Sequence, residues 1–361
     1  MKIGIVTQPL CANYGGILQN YALQQILIKM GHDPITLDYL PSLSFGRYLL
    51  YALKGIASLP FPSKRHKIKP YRHYLRRPKQ IESFVRKNIK LTKTIPEYNK
   101  TLLRKNEIEA IVVGSDQVWR YSYNSHYIED MYLDFAKRYS CLKMAYGASF
   151  GIEEWDYPTA KTEAVKKLVK QFDSISVREV SGVKLCKDIL GIDAQYVIDP
   201  TMLLERSDYE RICAKPDIYI EPYIATYVLD DNEEKEAFIN SVAVVKNLPI
   251  KRMSVYSSGS TVEEWLSTIK NADFIITDSY HGSLFSIIFG KQFRAIINKD
   301  RGSDRFYSIF NKLGILNCLM DTIPNEFDNN YIIDYNQLYL TLNSLRKESM
   351  FYLSNTMGHG V

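Results

Sequence analysis

The chain has 361 residues, of which 46 % are hydrophobic and 24 % charged, a globular composition that excludes a mainly disordered chain. At about 100–200 residues per domain, this length points to two domains. The net charge of +6 is local: residues 39–81 hold ten basic and no acidic side chains, and the remainder balances at 36 basic against 40 acidic, a net of −4. Such a concentration argues against a nucleic-acid footprint, which spreads over a face built from several elements.

The elements follow in chain order. Lys2–Thr7 (KIGIVT) reads as a buried strand, followed by the loop NYGG and a helix from Ile17 to Met30 carrying Leu18, Tyr21, Ala22 and Ile26 at helical spacing. Residues 35–39 give a second strand, completing a βαβ opening. The basic segment 40–80 comes next, with Pro60, Pro62, Pro70 and Pro78 against a single long helix. Its aromatic start and basic end suit an anionic membrane surface or a lipid-linked phosphate, and equally a solvated insertion. Strands are expected at Ile108–Val113, Leu142–Tyr146 and Ser174–Val177, and a helix at Thr159–Gln171. Val197-Ile198-Asp199-Pro200 closes the first half.

A second α/β series begins near Tyr219. Strands are expected at YIATYVL, Lys251–Tyr256, Asp273–Thr277 and Arg294–Asn298. Helices are expected at Asn232–Lys246, from a Ser260/Glu263 capping box, at Ser283–Phe289 and at Tyr335–Tyr352. This pattern implies an α/β fold of two Rossmann-like, doubly wound domains facing a cleft. The expected division is residues 1–200, with the acceptor side and the basic insertion, residues 201–330 with the donor side, and residues 331–361 packing back across both.

The five cysteines, Cys11, Cys141, Cys186, Cys213 and Cys318, form no CxxC pair, so neither zinc nor a disulfide framework is expected and a reducing compartment fits. No leader is expected in MKIGIVTQPL, and no apolar run approaches the ~18 residues of a spanning helix, so the protein is expected in the cytoplasm, with peripheral membrane contact through segment 40–80. Walker and HExxH motifs are absent, and no metal is implied.

In doubly wound sheets, ligands bind beyond the carboxyl ends of the strands. The loops there are NYGG (Asn13, Tyr14, Gly15, Gly16), GSDQ (Ser115, Asp116, Gln117), GASFG, SVRE and DSYHG (Ser279, Tyr280, His281). His281, between an apolar strand and a helix start, suits general acid/base chemistry, with a structural or capping histidine as the alternative. Arg178, at the end of SISV, suits carboxylate or phosphate recognition, with an ion pair to Glu179 or to an acidic neighbour distant in sequence as the alternative. NYGG offers backbone N–H groups for an anion. Gly-Ser-Asp is equally an ordinary strand-end turn.

Together KIGIVT…NYGGILQNYALQQ, VVGSDQVW, YGASFG, SISVRE, VIDPTMLL and ITDSYHGSLFSIIFG, in this order over residues 2–290, resemble the polysaccharide pyruvyl transferase family. The resemblance implies transfer of a pyruvyl group from phosphoenolpyruvate to a sugar of a surface-polysaccharide precursor, which the basic segment suggests is lipid-linked. A pyruvate ketal forms and phosphate leaves, without metal or cofactor. It implies His281 as acid/base, Arg178 at the donor anion, and Ser279 and NYGG as auxiliary contacts. Some members carry Arg where this chain has Ser279, so a second cation is expected from Arg294, Arg301 or Arg305, with Arg294 placed among the substrate-binding residues. The competing readings are a GT-B glycosyltransferase using a nucleotide sugar and a catalytically silent carbohydrate-binding protein.

Overall fold

Short apolar runs alternate with helices along the chain, and each run pairs in parallel with a strand distant in sequence, as crossover connections require. The computed structural model describes residues 1–11, 13–40, 77–215, 221–254, 259–298, 301–324 and 327–358. Most of the basic segment, residues 41–76, lies outside the described residues.

The first sheet comprises β1 (Lys2–Val6), β2 (Asp33–Thr36), β3 (Ala110–Val113), β4 (Leu142–Ala148), β5 (Ser174–Val177) and β6 (Gln195–Tyr196), in the order β2-β1-β3-β4-β5-β6. Register is set by pairs such as Ile3↔Pro34, Ile3↔Ala110 and Val112↔Met144. The second sheet comprises β7 (Ile224–Tyr227), β8 (Ile250–Arg252), β9 (Phe274–Thr277), β10 (Gln292–Ile296) and β11 (Leu319–Met320), in the order β11-β10-β9-β7-β8. All pairings in both sheets are parallel, so these are two doubly wound α/β domains of GT-B-like organisation.

Strand order reverses once in each sheet. In the first sheet the reversal lies between β1 and β3, and in the second between β7 and β9. Crevices open at the carboxyl ends of strands where order reverses, because the flanking connections leave on opposite faces. Val6 leads there to NYGG, Val113 to Gly114-Ser115-Asp116, Tyr227 to Asp230, and Thr277 to Asp278-Ser279-Tyr280-His281.

Helix α1 (Tyr14–Lys29) is buried on nearly every side. Its apolar residues Ile17, Leu18, Leu23 and Leu27 pack in a core that also contains Trp265, Leu266, Phe285 and Ile287 of the second domain. Two of its buried glutamines are matched by named partners. Gln19 donates to Thr7 Oγ1 (3.0 Å) and the Gly16 carbonyl, and its Oε1 accepts from Ser115 N–H; Gln24 donates to Thr36 Oγ1 (2.8 Å). Matching of this kind is what permits burial of amide side chains. Tyr14 stacks on Trp265 (centroids 5.4 Å apart) and donates its hydroxyl hydrogen to the Ser260 carbonyl.

Helix boundaries differ in places from the sequence expectation. The helix expected from Ser283 is α2 (Tyr280–Ile288), capped by Ser279, whose hydroxyl accepts from Gly282 N–H at 3.3 Å. The capping box is Thr261/Glu264 rather than Ser260/Glu263, one residue later, because the Thr261 hydroxyl reaches Glu264 N–H while Glu264 reaches back to Thr261 N–H. The terminal helix, Tyr335–Met357, crosses both domains. Tyr339 donates to the Ile287 carbonyl, whereas Tyr352 donates to the Ala145 carbonyl at 2.8 Å and Ser349 accepts from Ile198 N–H. All five cysteines are free. No helix among the described residues is long and apolar enough to cross a membrane.

Candidate active site

The two reversal points face each other across the domain junction. Gly15, in the first turn of α1, lies directly against the His281 ring, so a Cβ there would overlap Nδ1 and Cγ. Gln117 Nε2 donates to the Arg301 carbonyl (3.4 Å), Val180 N–H donates to Ser308 Oγ (2.9 Å), and Gly302 approaches the Gly151 carbonyl so closely that no side chain fits between. Gly302 also holds φ +96°, a backbone state glycine adopts without strain. The loops carrying chemistry are thus also the loops joining the domains.

At the centre is a buried charge cluster. Arg178, at the end of β5, donates from NH1 to Asp199 Oδ2 (2.6 Å) and from NH2 to Asp116 Oδ1 (2.8 Å). Asp199 Oδ2 also lies 3.5 Å from His281 Nε2, while Asp199 Oδ1 accepts from Thr201 N–H and Thr201 Oγ1. Burial alone would raise the Asp199 carboxyl, but His281, Arg178 and the Thr201 N–H outweigh it and hold the group well below the ordinary carboxylate range. Asp116 behaves likewise, its burial outweighed by Arg178, His281 and Arg305. Burial opposes the charge on Arg178, yet the two carboxylates raise its pKa above the usual guanidinium value. Glu179 faces the other way. Its Oε1 accepts from Ser149 Oγ and Gly151 N–H, and burial pushes its carboxyl up.

The His281 ring, 5 % exposed, sits between a carboxylate at Nε2 and the amino end of α1 at Nδ1. Asn13 caps α1 without a side-chain hydrogen bond, so its side chain satisfies none of the first-turn N–H donors. Tyr280 lies against two guanidinium groups, those of Arg178 and Arg305, 5.0 and 4.8 Å from its ring centroid.

The residues singled out in the sequence separate into two groups. His281, Gly15, Gly16, Asp116 and Tyr280 converge on the junction, with Asn13 exposed at its edge and Ser279 capping the helix that carries His281. Three serve the framework. Tyr14 is wholly buried against Trp265, Ser115 is buried with Oγ on the Gly147 carbonyl, and Gln117 Oε1 accepts from Arg120. The Arg178 side chain is 0 % exposed and both its terminal nitrogens are engaged by carboxylates. Its partners are Asp116 and Asp199 rather than Glu179. Arg294 donates its guanidinium hydrogens to the Phe293, Asp328 and Tyr331 carbonyls beside Phe327.

Asp199 is the site residue the sequence reading missed as chemistry. Its only signal was its place in VIDP, at the end of a short apolar run. Among the described residues, no group of three or more His, Cys, Asp or Glu side chains is placed to hold a metal ion.

Two doubly wound domains thus meet with an imidazole, carboxylates and guanidiniums at their facing strand ends. The chain belongs to the polysaccharide pyruvyl transferase family, whose model matches residues 13–300. Among solved structures, the UDP-GlcNAc 2-epimerase of Methanocaldococcus jannaschii, in complex with UDP-GlcNAc and UDP, is 12 % identical, covers 100 % of both chains and has a TM-score of 0.46. The glycosyltransferase SnogD of Streptomyces nogalater is 11 % identical, with 99 % of this chain and 95 % of that chain covered and a TM-score of 0.42. No curated protein matches the chain.

Proposed function

We propose that the protein transfers a pyruvyl group from phosphoenolpyruvate to a sugar of a polysaccharide precursor, forming a cyclic ketal and releasing phosphate. The observation that carries this reading is His281, held between the Asp199 carboxylate and the amino end of α1 where the two strand-order reversals meet.

The chemistry needs an acid, a base and compensation for anions. Protonation of the methylene carbon by the His281 imidazolium leaves an oxocarbenium-like centre at C2, which a first sugar hydroxyl attacks while losing its proton. Departure of phosphate and attack by a second hydroxyl close the ketal, with the second proton also released. The neutral imidazole left by the first step is the base for a hydroxyl proton. Asp199 stabilises the imidazolium and orients the ring, as a carboxylate behind a catalytic histidine does elsewhere. The uncapped N–H groups of α1 suit the donor's charge.

The acceptor in this reading is lipid-linked, because the segment with ten basic and no acidic residues suits a diphosphate or an anionic membrane face. Charge reversal at Lys64, Arg65, Lys67 and Lys69 would then weaken binding to vesicles containing anionic lipid, and unchanged binding would remove that part.

The test is phosphate release from phosphoenolpyruvate, with wild type and His281→Gln, over a panel of free and lipid-linked hexose and N-acetylhexosamine acceptors. Acceptor-dependent release that disappears in the variant supports the reading. Binding of a nucleotide sugar with no binding of phosphoenolpyruvate would replace it with the glycosyltransferase alternative.

A further inference from the structure

We propose that Arg305 is the cation that receives an oxyanion of the donor. This deepens the pyruvyl-transfer reading and rests on it. Three arginines fall between the start of β10 and Leu313, and their partners separate them. Arg294 is spent on three carbonyls. Arg301 is committed to Asp230, with Nε and NH2 on the two carboxylate oxygens. Arg305, at the start of the helix Asp304–Leu313, has Nε on the Gly302 carbonyl (3.3 Å) and NH2 on the Arg301 carbonyl (3.0 Å). Its NH1 turns toward Asp116 but stops at 4.0 Å, beyond hydrogen-bond reach.

The charges explain why this nitrogen is available. Asp116 Oδ1 is already taken by Arg178 at 2.8 Å, and Asp199 by Arg178 and Thr201. Arg178 therefore has two carboxylates at hydrogen-bond distance and Arg305 has none among the described residues. Two neutral carbonyls orient Arg305 without neutralising it. Burial and the neighbouring Arg178 charge push the Arg305 pKa down to about 10, the direction expected for a buried cation short of counter-charge. Exposure separates the two as well: the Arg178 side chain is 0 % exposed, whereas 8 % of the Arg305 side chain reaches solvent. A guanidinium held by its other nitrogens, with one edge free and a route to solvent, is built for a phosphate or carboxylate.

The probes are inorganic phosphate, pyruvate and phosphoenolpyruvate, titrated calorimetrically into the full chain. Arg305→Gln should weaken phosphoenolpyruvate binding on the order of 100-fold and Arg305→Lys on the order of 10-fold, since Lys keeps the charge but loses the planar fork. The surface variant Arg252→Gln should bind as wild type. Because the unliganded site buries an under-neutralised charge, Arg305→Gln should unfold at a temperature no lower than wild type, while losing the upward shift that phosphate gives wild type. Matching losses for phosphate and phosphoenolpyruvate place the phosphoryl group at Arg305, and matching losses for pyruvate place the carboxylate there.

Unchanged phosphoenolpyruvate and phosphate binding in Arg305→Gln overturns the proposal, as does wild type that binds none of the three probes. Wild type that binds phosphate through Arg305 but does not bind phosphoenolpyruvate keeps the anion seat and overturns the donor reading instead. If Arg305→Gln does not fold, Arg305→Lys decides, and wild-type affinity in that variant counts against the proposal.

Discussion

His281 Nε2 stands 3.5 Å from Asp199 Oδ2, although Asp199 follows the last strand of the first sheet and His281 follows β9 of the second. The imidazole and its carboxylate are therefore brought together by the docking of two domains. Arg178 anchors Asp199 on the first domain's side, and Gly15 bounds the ring from the opposite side. Any change that parts the domains also separates the pair.

Asp199→Asn tests whether that pairing serves chemistry. Loss of the carboxylate should lower kcat on the order of 10²–10⁴-fold while leaving KM for phosphoenolpyruvate within a few-fold, by analogy with the carboxylate behind a catalytic histidine. Asp199→Glu should recover part of kcat. A purely structural role would lower the unfolding temperature and leave kcat of the folded fraction intact, so steady-state kinetics beside thermal unfolding separates the two.

Gly15→Ala places a methyl group inside the His281 ring volume. Either the ring leaves Asp199 or the domains part, and kcat/KM should fall at least 100-fold, consistent with the cost of an ångström-scale misplacement. Gly31→Ala provides the comparison. It meets nothing within 4 Å but sits at φ +83°, so it should cost about 1 kcal/mol of stability and leave turnover unchanged.

Acid should destabilise the folded protein through Asp116 and Asp199. Both carboxyls titrate lower when folded than the usual ~4 of an unfolded chain, so their contribution is complete above that value and is lost as pH falls toward the folded pKa. Glu179 has the opposite sign: its raised carboxyl contributes below the unfolded value and loses that contribution as pH rises through its folded pKa. Thermal unfolding from pH 6 down to pH 3 should therefore show a falling midpoint, with a shallower fall in Asp116→Asn. Equal slopes in wild type and variant would contradict this account.

Arg77 lies at the end of the basic segment, yet its side chain is buried. It pairs with Asp38, also buried, and donates from Nε to the Leu10 carbonyl at 2.8 Å. It is part of the framework. Arg77→Ala strands the Asp38 carboxylate and should cost about 3–5 kcal/mol by chemical denaturation. A change under 1 kcal/mol would show that the pair is dispensable.

Packing at the junction gives a further measurement. Trp265, with no exposed surface, lies under Tyr14 of α1 and against Tyr227 and Phe285 of its own domain. Trp265→Ala should cost about 3–5 kcal/mol, as removal of a large buried aromatic does. Tyr14→Phe removes one hydroxyl bond to the Ser260 carbonyl and should cost about 1 kcal/mol, read from the denaturation midpoint.

Local sequence determined a good deal of this protein. Strand–helix alternation, the reach of NYGG, GSD, SVRE and DSYHG to strand ends, and the placement of His281 all follow from periodicity and turn chemistry over windows of a few residues. Boundaries shifted where local rules compete: Ser279 rather than Ser283 starts its helix because a hydroxyl three residues ahead of Gly282 N–H captures the cap. The two-residue strands β6 and β11 carry no period and were not legible. What only the tertiary structure decided is pairing. Arg178 chose Asp116 and Asp199, 62 and 21 residues away, over adjacent Glu179, and Arg305 rather than Arg294 turned toward the site. Those choices depend on which charges docking brings within a few ångströms and strips of water, and charge interactions of that kind act through space with no trace in local sequence.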